Sequence, residues 1–195
     1  MHIFAEENEE KEEKSGFSPL HQKLLDTRTI LLFGEIDMDS ARQITGQLLV
    51  LAAESNEPIK LIINSPGGHV ESGDTIFDMI RFVQAPVKVI GTGWVASAGA
   101  LIYAAAEKEN RYSLPNTRFL LHQPMGGTRG QAADIAIEAE EIIKMRRRLN
   151  ETFARQTGQS VEKVEEDTDR NFWMSAVEAQ AYGLVNQIVN SIDEV

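Results

Sequence analysis

Ser97 lies in a run of small residues, 93–99, that could present a nucleophile. An apolar stretch at 87–91 predicts a buried strand before the run, and the small residues from Ser97 to about Ala106 predict a helix. A serine at such a turn leaves room for a substrate carbonyl to reach its Oγ, while the first backbone N–H groups of the helix face that carbonyl. Val95 occupies the position of the first glycine in the nucleophile-elbow pattern, so that pattern is not met. By itself, the run is also typical of tight strand–helix packing or of a helix N-cap.

A general base would have to come from the four histidines of the chain, His2, His21, His69 and His122. We expect the first two to be exposed, because they lie in or beside the polar N-terminal segment. His69 follows a Gly-Gly turn and could either belong to a loop or line a site. His122 ends a predicted strand, where a structural histidine is equally expected. No two histidines have the spacing of metal ligands, so we predict no metal site.

Three features of the sequence become more informative together than apart. Ser97, His122 and the Gly67-Gly68 pair each follow a predicted strand. Parallel strands end at one edge of their sheet, so these residues are predicted to meet there. Such an arrangement can supply a nucleophile, a general base and backbone donors for an oxyanion.

The elements that must position these residues alternate along the chain. Strands are predicted at 29–36, 59–63, 87–91, 118–122 and 184–189, and helices at 40–55, 73–82, 131–157, 161–169 and 175–182, after a short helix that begins near Ser18-Pro19. This alternation predicts an α/β fold with a largely parallel sheet and right-handed crossovers. We predict one domain, 18–195, after an acidic, disordered segment at 1–17.

Composition restricts the class of protein. The 195 residues carry a formal net charge of −11, which argues against binding to nucleic acid or to anionic membranes. No apolar run is long enough to span a bilayer, and no cleavable signal opens the chain. Cysteine is absent, in agreement with a reducing compartment. We therefore expect a cytoplasmic protein.

The helix predicted at 131–157 is long for a chain of this size. It contains neither proline nor glycine and would make about seven and a half turns at 3.6 residues per turn. A domain of this length has a radius of only about 16 Å. Part of the helix must project or pack on a neighbour, so we predict an oligomer.

Several short motifs, in matching order and spacing over roughly 30–189, resemble the Clp protease proteolytic subunit, ClpP. They are Asn64-Ser65-Pro66-Gly67-Gly68, Ala96-Ser97-Ala98-Gly99-Ala100, Leu114-Pro115-Asn116 with His122-Gln123-Pro124, Gly126-Gly127 with Gly130-Gln131-Ala132, and Asp167-Thr168-Asp169-Arg170 with Met174-Ser175-Ala176. The resemblance implies a crotonase-like fold and a serine endopeptidase that cleaves unfolded proteins and peptides inside two stacked seven-membered rings. It implies that the 131–157 helix is the handle between rings. It also implies an AAA+ unfoldase partner that spends ATP, with no cofactor or nucleotide site in this chain.

Residue roles follow from the resemblance position by position. Ser97 would be the nucleophile and His122 the general base, and the backbone N–H groups of Gly68 and Ala98 would form the oxyanion hole. Ring-to-ring contacts would involve Asp169 and Arg170, together with Ile135 and Ile142 on the handle. Ala98 stands where the family usually has methionine, but a backbone donor survives a change of side chain. Trp94 and Val95 also depart from the small residues usual before the serine, so we expect an altered substrate groove beside it.

The third position of the triad departs more seriously, because Asn171 stands where the family has an aspartate. An aspartate orients the histidine and stabilises the imidazolium that forms during attack, whereas asparagine is neutral and can hold the wrong tautomer. In a well-studied serine protease this exchange lowers kcat about 10⁴-fold. Asp169 could orient His122 instead, but its place in the Asp-Arg pair favours a ring contact.

Two interpretations compete most closely. In the favoured one, Ser97 and His122 form a serine peptidase with a weakened third member. In the other, the chain is a mainly structural or low-activity subunit that completes a mixed ring with an active ClpP paralogue. A crotonase-type acyl-CoA enzyme that shares only the fold is less favoured, because the serine and histidine match the peptidase pattern.

Overall fold

The structure, a computed structural model, describes residues 19–127 and 129–195. The acidic segment predicted at 1–17 lies outside the described residues, so its disorder and the division of the chain at residue 18 stay predictions. The strands are β1 Thr29–Ile36, β2 Ile59–Gly68, β3 Val87–Ala96, β4 Arg111–Ser113, β5 Arg118–Leu121, β6 Phe172–Ser175 and β7 Gln187–Ile188. The helices are α1 Pro19–Asp26, α2 Met38–Glu54, α3 Val70–Phe82, α4 Ala98–Tyr103, α5 Ala132–Thr157, α6 Val161–Thr168 and α7 Ala176–Tyr182.

The described strands form one sheet in which neighbouring strands are parallel except for a single pair. Its main path is β1-β2-β3-β4-β7, and β5 pairs with the carboxyl half of β3 on one side and with β6 on the other. Only the β5–β6 pairing is antiparallel. The predicted α/β class with a largely parallel sheet is therefore confirmed.

The core lies between one face of the sheet and helices α2, α3 and α4. Ile59, Leu61 and Ile63 alternate with half-buried residues along β2, so one face of this strand is fully buried. A capping box between Asp37 and Ser40 begins α2 and satisfies the first backbone donors of that helix. Helix α4 is buried along its whole length, which explains its small residues.

The opposite face of the sheet is partly bare. Phe33 on β1 and Trp94 on β3 are 55% and 43% exposed, and Leu31 is also exposed. Parallel sheets are usually covered on both faces, because their strands are apolar on both sides. Apolar side chains on this face are therefore open to a covering partner.

Helix α5 projects from the fold, as its predicted length required. Its 26 residues span about 39 Å at 1.5 Å per residue. Its buried residues all lie between Leu149 and Thr157, whereas 131–141 are exposed. Ile135 is exposed, but Ile142 is half-buried, and its Cδ1 lies 3.0 Å from where a Cβ on Gly126 would stand. Ile142 thus packs in part within its own chain.

Several predicted bounds need correction. β2 continues from 63 to Gly68 and β3 from 91 to Ala96, because β2 shifts register against both of its neighbours and so keeps a glycine- and proline-containing segment in the sheet. Strands β4 and β6 were not predicted, since three or four residues give too little periodicity. The strand predicted at 184–189 shrinks to β7, and α4 ends at Tyr103 rather than near Ala106.

Arg111 is fully buried and joins three parts of the fold. From β4, its Nε donates to the carbonyl of Ala106 at 2.8 Å, and its Nη1 donates to the carbonyl of Gln156 at 2.7 Å. Its Nη2 donates to the side-chain oxygen of Gln156 at 2.6 Å. The guanidinium therefore holds the end of α5 against β4 and the segment after α4.

We expect the substitution Arg111→Met to lower the free energy of unfolding by about 2 to 4 kcal/mol, because it keeps an apolar stem and leaves these acceptors without donors. Urea unfolding at matched oligomeric state measures the change. Arg147→Met is the control: Arg147 is exposed, and among the described residues its ion pair is with Glu151, so its loss should cost no more than about 0.5 kcal/mol. Equal losses for the two variants would contradict this role of Arg111.

Candidate active site

Ser97 occupies a strained turn between β3 and α4. Its backbone has φ 55° and ψ −121°, outside the regions that a side-chain-bearing residue normally adopts. Such a conformation costs about 1–3 kcal/mol and persists only where the surroundings enforce it. Here the Ser97 N–H donates to the carbonyl of Leu120 at 2.9 Å, and the Ser97 carbonyl accepts from the N–H of Leu101 at 3.1 Å. Ser97 stands at the N-cap position of α4, but its side chain makes no capping hydrogen bond.

His122 follows β5 and lines the same small cavity as Ser97. The cavity measures about 20 Å³ and also touches Ala98. Among the described residues no hydrogen bond joins the Ser97 hydroxyl to His122, and catalytic hydrogen bonds often tighten only when substrate binds. The predicted meeting of the serine and the histidine at one edge of the sheet is thus observed as a shared cavity.

Burial lowers the pKa of His122 below its ordinary value of 6.5, because the half-buried imidazole loses solvation that favours its charged form. The neutral imidazole is therefore favoured and can accept a proton. Among the described residues, no carboxylate forms a hydrogen bond or an ion pair with it.

The Gly67-Gly68 turn presses directly against the serine. A Cβ on Gly67, whose φ is 97°, would lie 2.6 Å from the Cβ of Ser97 and 3.2 Å from the backbone nitrogen of Ala98. A Cβ on Gly68 would lie 2.1 Å from the carbonyl oxygen of Ile36 on β1. Only glycine fits at either position, so the peptide backbone itself forms this side of the site. The turn and the first nitrogen of α4 meet beside Ser97, where the two oxyanion donors are predicted.

Asn171 is exposed, and among the residues that the structure describes its side chain has no hydrogen bond to His122. Asp169 does not replace it. The Asp169 carboxylate accepts from Nη2 of Arg146 at 3.2 Å and lies 3.9 Å from Nε of Arg170. The carboxylate therefore belongs to a surface cluster of charges, and within 19–127 and 129–195 no acidic side chain is bonded to His122.

The backbone around Asp169 nevertheless positions the histidine. The N–H of Gln123 donates to the carbonyl of Thr168 at 2.7 Å, and Nε2 of Gln123 donates to the carbonyl of Asp169 at 2.7 Å. These two bonds fix the chain directly after His122 to the end of α6. The Arg170 side chain is 90% exposed.

His69 has a structural role that sequence reasoning left open. Its Nδ1 accepts from the backbone N–H of Ser72 at 3.3 Å and lies 2.9 Å from the Ser72 hydroxyl, so the imidazole caps α3. Its Nε2 lies 3.3 Å from a carboxylate oxygen of Glu71.

Of the other histidines, His21 lies on α1, half-buried rather than exposed as predicted, and His2 lies outside the described residues. Within 19–127 and 129–195, no three histidine and acidic side chains group as metal ligands, and no helix is long and apolar enough to cross a bilayer.

Sequence reasoning missed the walls of the cavity. Val70, Leu149 and Phe153 all touch it. The spacing of Leu149 and Phe153 marks them as one face of a helix, but periodicity does not reveal what that face packs against.

Comparisons with known proteins agree with this geometry. The family model for Clp protease matches residues 11–192. The ATP-dependent Clp protease proteolytic subunit 2 of Gluconobacter oxydans (strain 621H) is 63% identical over 191 residues, which cover 97% of this chain and 86% of that protein. The proteolytic subunit 3 of Rhizobium meliloti (strain 1021) is 57% identical over 192 residues, which cover 96% of this chain and 98% of that protein.

Solved structures of Clp protease subunits are also similar to this chain. ClpP1 from Listeria monocytogenes superposes with a TM-score of 0.81 at 57% identity, covering 90% of this chain and 98% of that one. A mutant of the same protein, in which an asparagine is replaced by aspartate, gives a TM-score of 0.84 at 57% identity and covers 89% and 98% of the two chains. Each match covers about nine-tenths of this chain. This chain belongs to the Clp protease family of serine peptidases.

Proposed function

We propose that the chain is a ClpP-like serine endopeptidase that cleaves unfolded proteins and peptides inside a cytoplasmic, barrel-shaped oligomer fed by an AAA+ ATP-dependent unfoldase. One observation carries the proposal: the strained Ser97 opens onto the same cavity as His122, with the Gly67-Gly68 backbone against it. Similar proteins are named proteolytic subunits of an ATP-dependent protease, which supports the unfoldase partner. ATP is spent by that partner, and this chain needs no cofactor.

The reaction follows from these positions. The Ser97 hydroxyl attacks the carbonyl carbon of the scissile peptide bond, and its proton passes to the neutral imidazole of His122. The oxygen of the tetrahedral intermediate accepts hydrogen bonds from the backbone N–H groups of Gly68 and Ala98. The C–N bond then breaks, the imidazolium gives its proton to the leaving amine, and water hydrolyses the acyl-serine by the reverse sequence of proton transfers.

Two features disfavour the imidazolium of His122 that must form during attack. Burial already disfavours the charged imidazolium of His122, and no carboxylate offsets that penalty. Asn171 supplies no negative charge and makes no bond to the imidazole among the described residues. A loss of about 10⁴-fold in kcat corresponds to roughly 5.5 kcal/mol in barrier height. We therefore propose slow intrinsic cleavage by this chain.

Self-assembly into stacked seven-membered rings is supported by two surfaces. The bare face of the sheet exposes Leu31, Phe33 and Trp94, which a neighbour within a ring could cover. The projecting half of α5 carries Ile135, whose apolar side chain is exposed. We assign the first surface to contacts within a ring and the second to contacts between rings, where Asp169 and Arg170 would also lie.

A second candidate function is supported by the solvent exposure of Asn171. If the asparagine never engages His122, the chain serves mainly as a structural or low-activity subunit of a mixed ring with an active ClpP paralogue. The two candidates differ in whether Ser97 reacts at all, because a purely structural subunit needs no competent nucleophile. Membership of the protease family leaves the acyl-CoA interpretation without support.

We expect a fluorophosphonate probe to label assembled wild-type protein on Ser97, as read by peptide mass spectrometry. Labelling needs only the nucleophile, the base and the oxyanion donors, so it should occur even where turnover is slow. Ser97→Ala should abolish it. Ser113→Ala, at a buried serine outside the cavity, is the control and should leave it unchanged. Absence of labelling in intact rings would refute the peptidase and favour the structural subunit.

We expect Ile135→Glu to convert double rings into single rings, because it places a charge where two copies of α5 would bury an apolar side chain. Sedimentation velocity distinguishes the two assemblies. Ile192→Glu, at an exposed isoleucine far along the chain from α5, should leave the double ring intact. Ile142→Glu should also lower the stability of the subunit, since Ile142 packs near Gly126 in its own chain. An unchanged sedimentation coefficient for Ile135→Glu would contradict the assignment of α5 to the contact between rings.

A further inference from the structure

Ser65, on β2, is a fully buried polar side chain beside the candidate site, and the proposed mechanism does not use it. Its Oγ accepts a hydrogen bond from the backbone N–H of Gly67 at 3.0 Å. Ser65 is not one of the described residues that line the cavity shared by Ser97 and His122. The hydroxyl therefore acts on the backbone of the glycine turn rather than on the cavity.

The bond between Gly67 and Ser65 lies where β2 is irregular. The register of β2 shifts against β1 between Phe33 and Glu35, and against β3 between Ile63 and Ser65. Such a shift disrupts the regular ladder of backbone hydrogen bonds at that point. A serine hydroxyl that accepts from the N–H two residues later is a local bond that a regular strand does not contain. The Ser65 hydroxyl thus supports the turn where the strand ladder is interrupted.

The amide beside this bond is the proposed oxyanion donor, the N–H of Gly68. The preceding N–H, of Gly67, is held by the Ser65 hydroxyl. The following N–H, of His69, donates to the carbonyl of Ile36 at 2.8 Å. Gly67 and Gly68 have φ values of 97° and 150°, and glycine itself has little preference among such conformations. The two flanking bonds therefore set the direction of the Gly68 N–H.

Ser65 is itself fixed against the serine turn. It pairs with Val95 in the register of β2 against β3, and Val95 lies two residues before Ser97. On α4, a Cβ on Gly99 would lie 3.3 Å from the Cβ of Ser65, so the two backbones pack closely. Gly99 lies two residues after Ser97. The Ser65 hydroxyl is therefore held at a defined position relative to the nucleophile.

We propose that Ser65 is a positioning residue for the reaction: its hydroxyl holds the Gly67 N–H and so directs the adjacent N–H of Gly68 toward the oxygen of the tetrahedral intermediate. The inference rests on the proposed peptidase function and deepens it at the oxyanion hole. The oxyanion forms only after attack, so the contribution of the hydroxyl is present in the transition state and not in the substrate complex. Loss of the hydroxyl should lower kcat and leave KM unchanged.

The test uses Ser65→Ala in the full-length assembled protein, with hydrolysis of a fluorogenic peptide as the first readout. We expect kcat to fall about 10- to 100-fold, because the Gly68 donor is misdirected, whereas complete loss of an oxyanion donor costs about 10²- to 10³-fold. KM should change by less than about twofold.

A peptide boronic acid gives a second readout that does not need turnover. Ser97 would bind it as a negatively charged tetrahedral adduct that resembles the intermediate. Its affinity is measured by competition with the fluorophosphonate probe for Ser97. Since ligands that resemble the transition state report on its stabilisation, Ser65→Ala should weaken the boronic acid by about the factor by which it lowers kcat/KM. An effect on subunit stability alone would leave the affinity of the assembled protein unchanged.

Ser113→Ala is the matched control, because it removes the same hydroxyl from another fully buried serine. On β4, the Ser113 Oγ donates to the carbonyl of Leu114 at 3.0 Å. This variant should leave kcat and the affinity for the boronic acid unchanged. Ser65→Cys keeps the shape of the side chain, but its sulfur is only a weak acceptor, so both values should lie between those of wild type and Ser65→Ala. Ser65→Cys carries the test if Ser65→Ala does not assemble, and wild-type values in it would then overturn the inference.

The outcomes separate this inference from the proposed function. If Ser65→Ala keeps the wild-type kcat, or if Ser113→Ala lowers kcat equally, Ser65 does not position the oxyanion donor while the peptidase assignment stands. A lower kcat with unchanged affinity for the boronic acid would overturn the role of Ser65 as well. If neither the boronic acid nor the probe reacts with wild-type Ser97, the peptidase assignment itself fails, and this inference fails with it.

Discussion

The left-handed backbone of Ser97 is the constraint on which the rest of the site depends. A φ of 55° is unfavourable for serine, and it is maintained by a strand bond to Leu120, a helix bond to Leu101 and the Gly67 backbone pressed against the side chain. Removing any of these supports would let the turn relax toward an ordinary helix N-terminus. Gly67 is therefore needed because the strained serine turn leaves no room for a Cβ there, whereas Gly68 is needed because β1 lies against it at Ile36.

The candidate site has a nucleophile, a base and backbone donors in place, but it lacks a negative charge beside the base. Ser97, the glycine turn and the neutral His122 meet at one cavity. The candidate acid Asp169 is ion-paired with Arg146, and Asn171 is exposed. The segment after His122 is held through Gln123 to the end of α6. In the proposed mechanism, His122 is thus positioned as the general base, while no carboxylate of the described residues is bonded to its imidazole.

Much of this arrangement follows from sequence because it depends on local pattern. Strand–helix alternation predicted the parallel sheet, and the small residues around Ser97 predicted a tight turn. The strain at Ser97 and the clash that any side chain at Gly67 would meet depend on the register of β2 against β1 and β3, which local pattern does not determine. The cavity wall was missed for the same reason: Leu149 and Phe153 face α3 and α4 only after the chain has folded. The capping role of His69 needs Ser72 three residues later, a spacing that is common without any such bond.

The central claim is that the missing negative charge at residue 171 limits catalysis by an otherwise complete site. The most direct test is hydrolysis of a fluorogenic peptide by wild type and Asn171→Asp at matched oligomeric state, with Asn186→Asp as a control for added charge elsewhere. We predict that Asn171→Asp raises kcat by about 10²- to 10⁴-fold and that Asn186→Asp leaves it unchanged. An unchanged kcat in Asn171→Asp, with wild type already fast, would contradict the account and show that another group stabilises the His122 imidazolium.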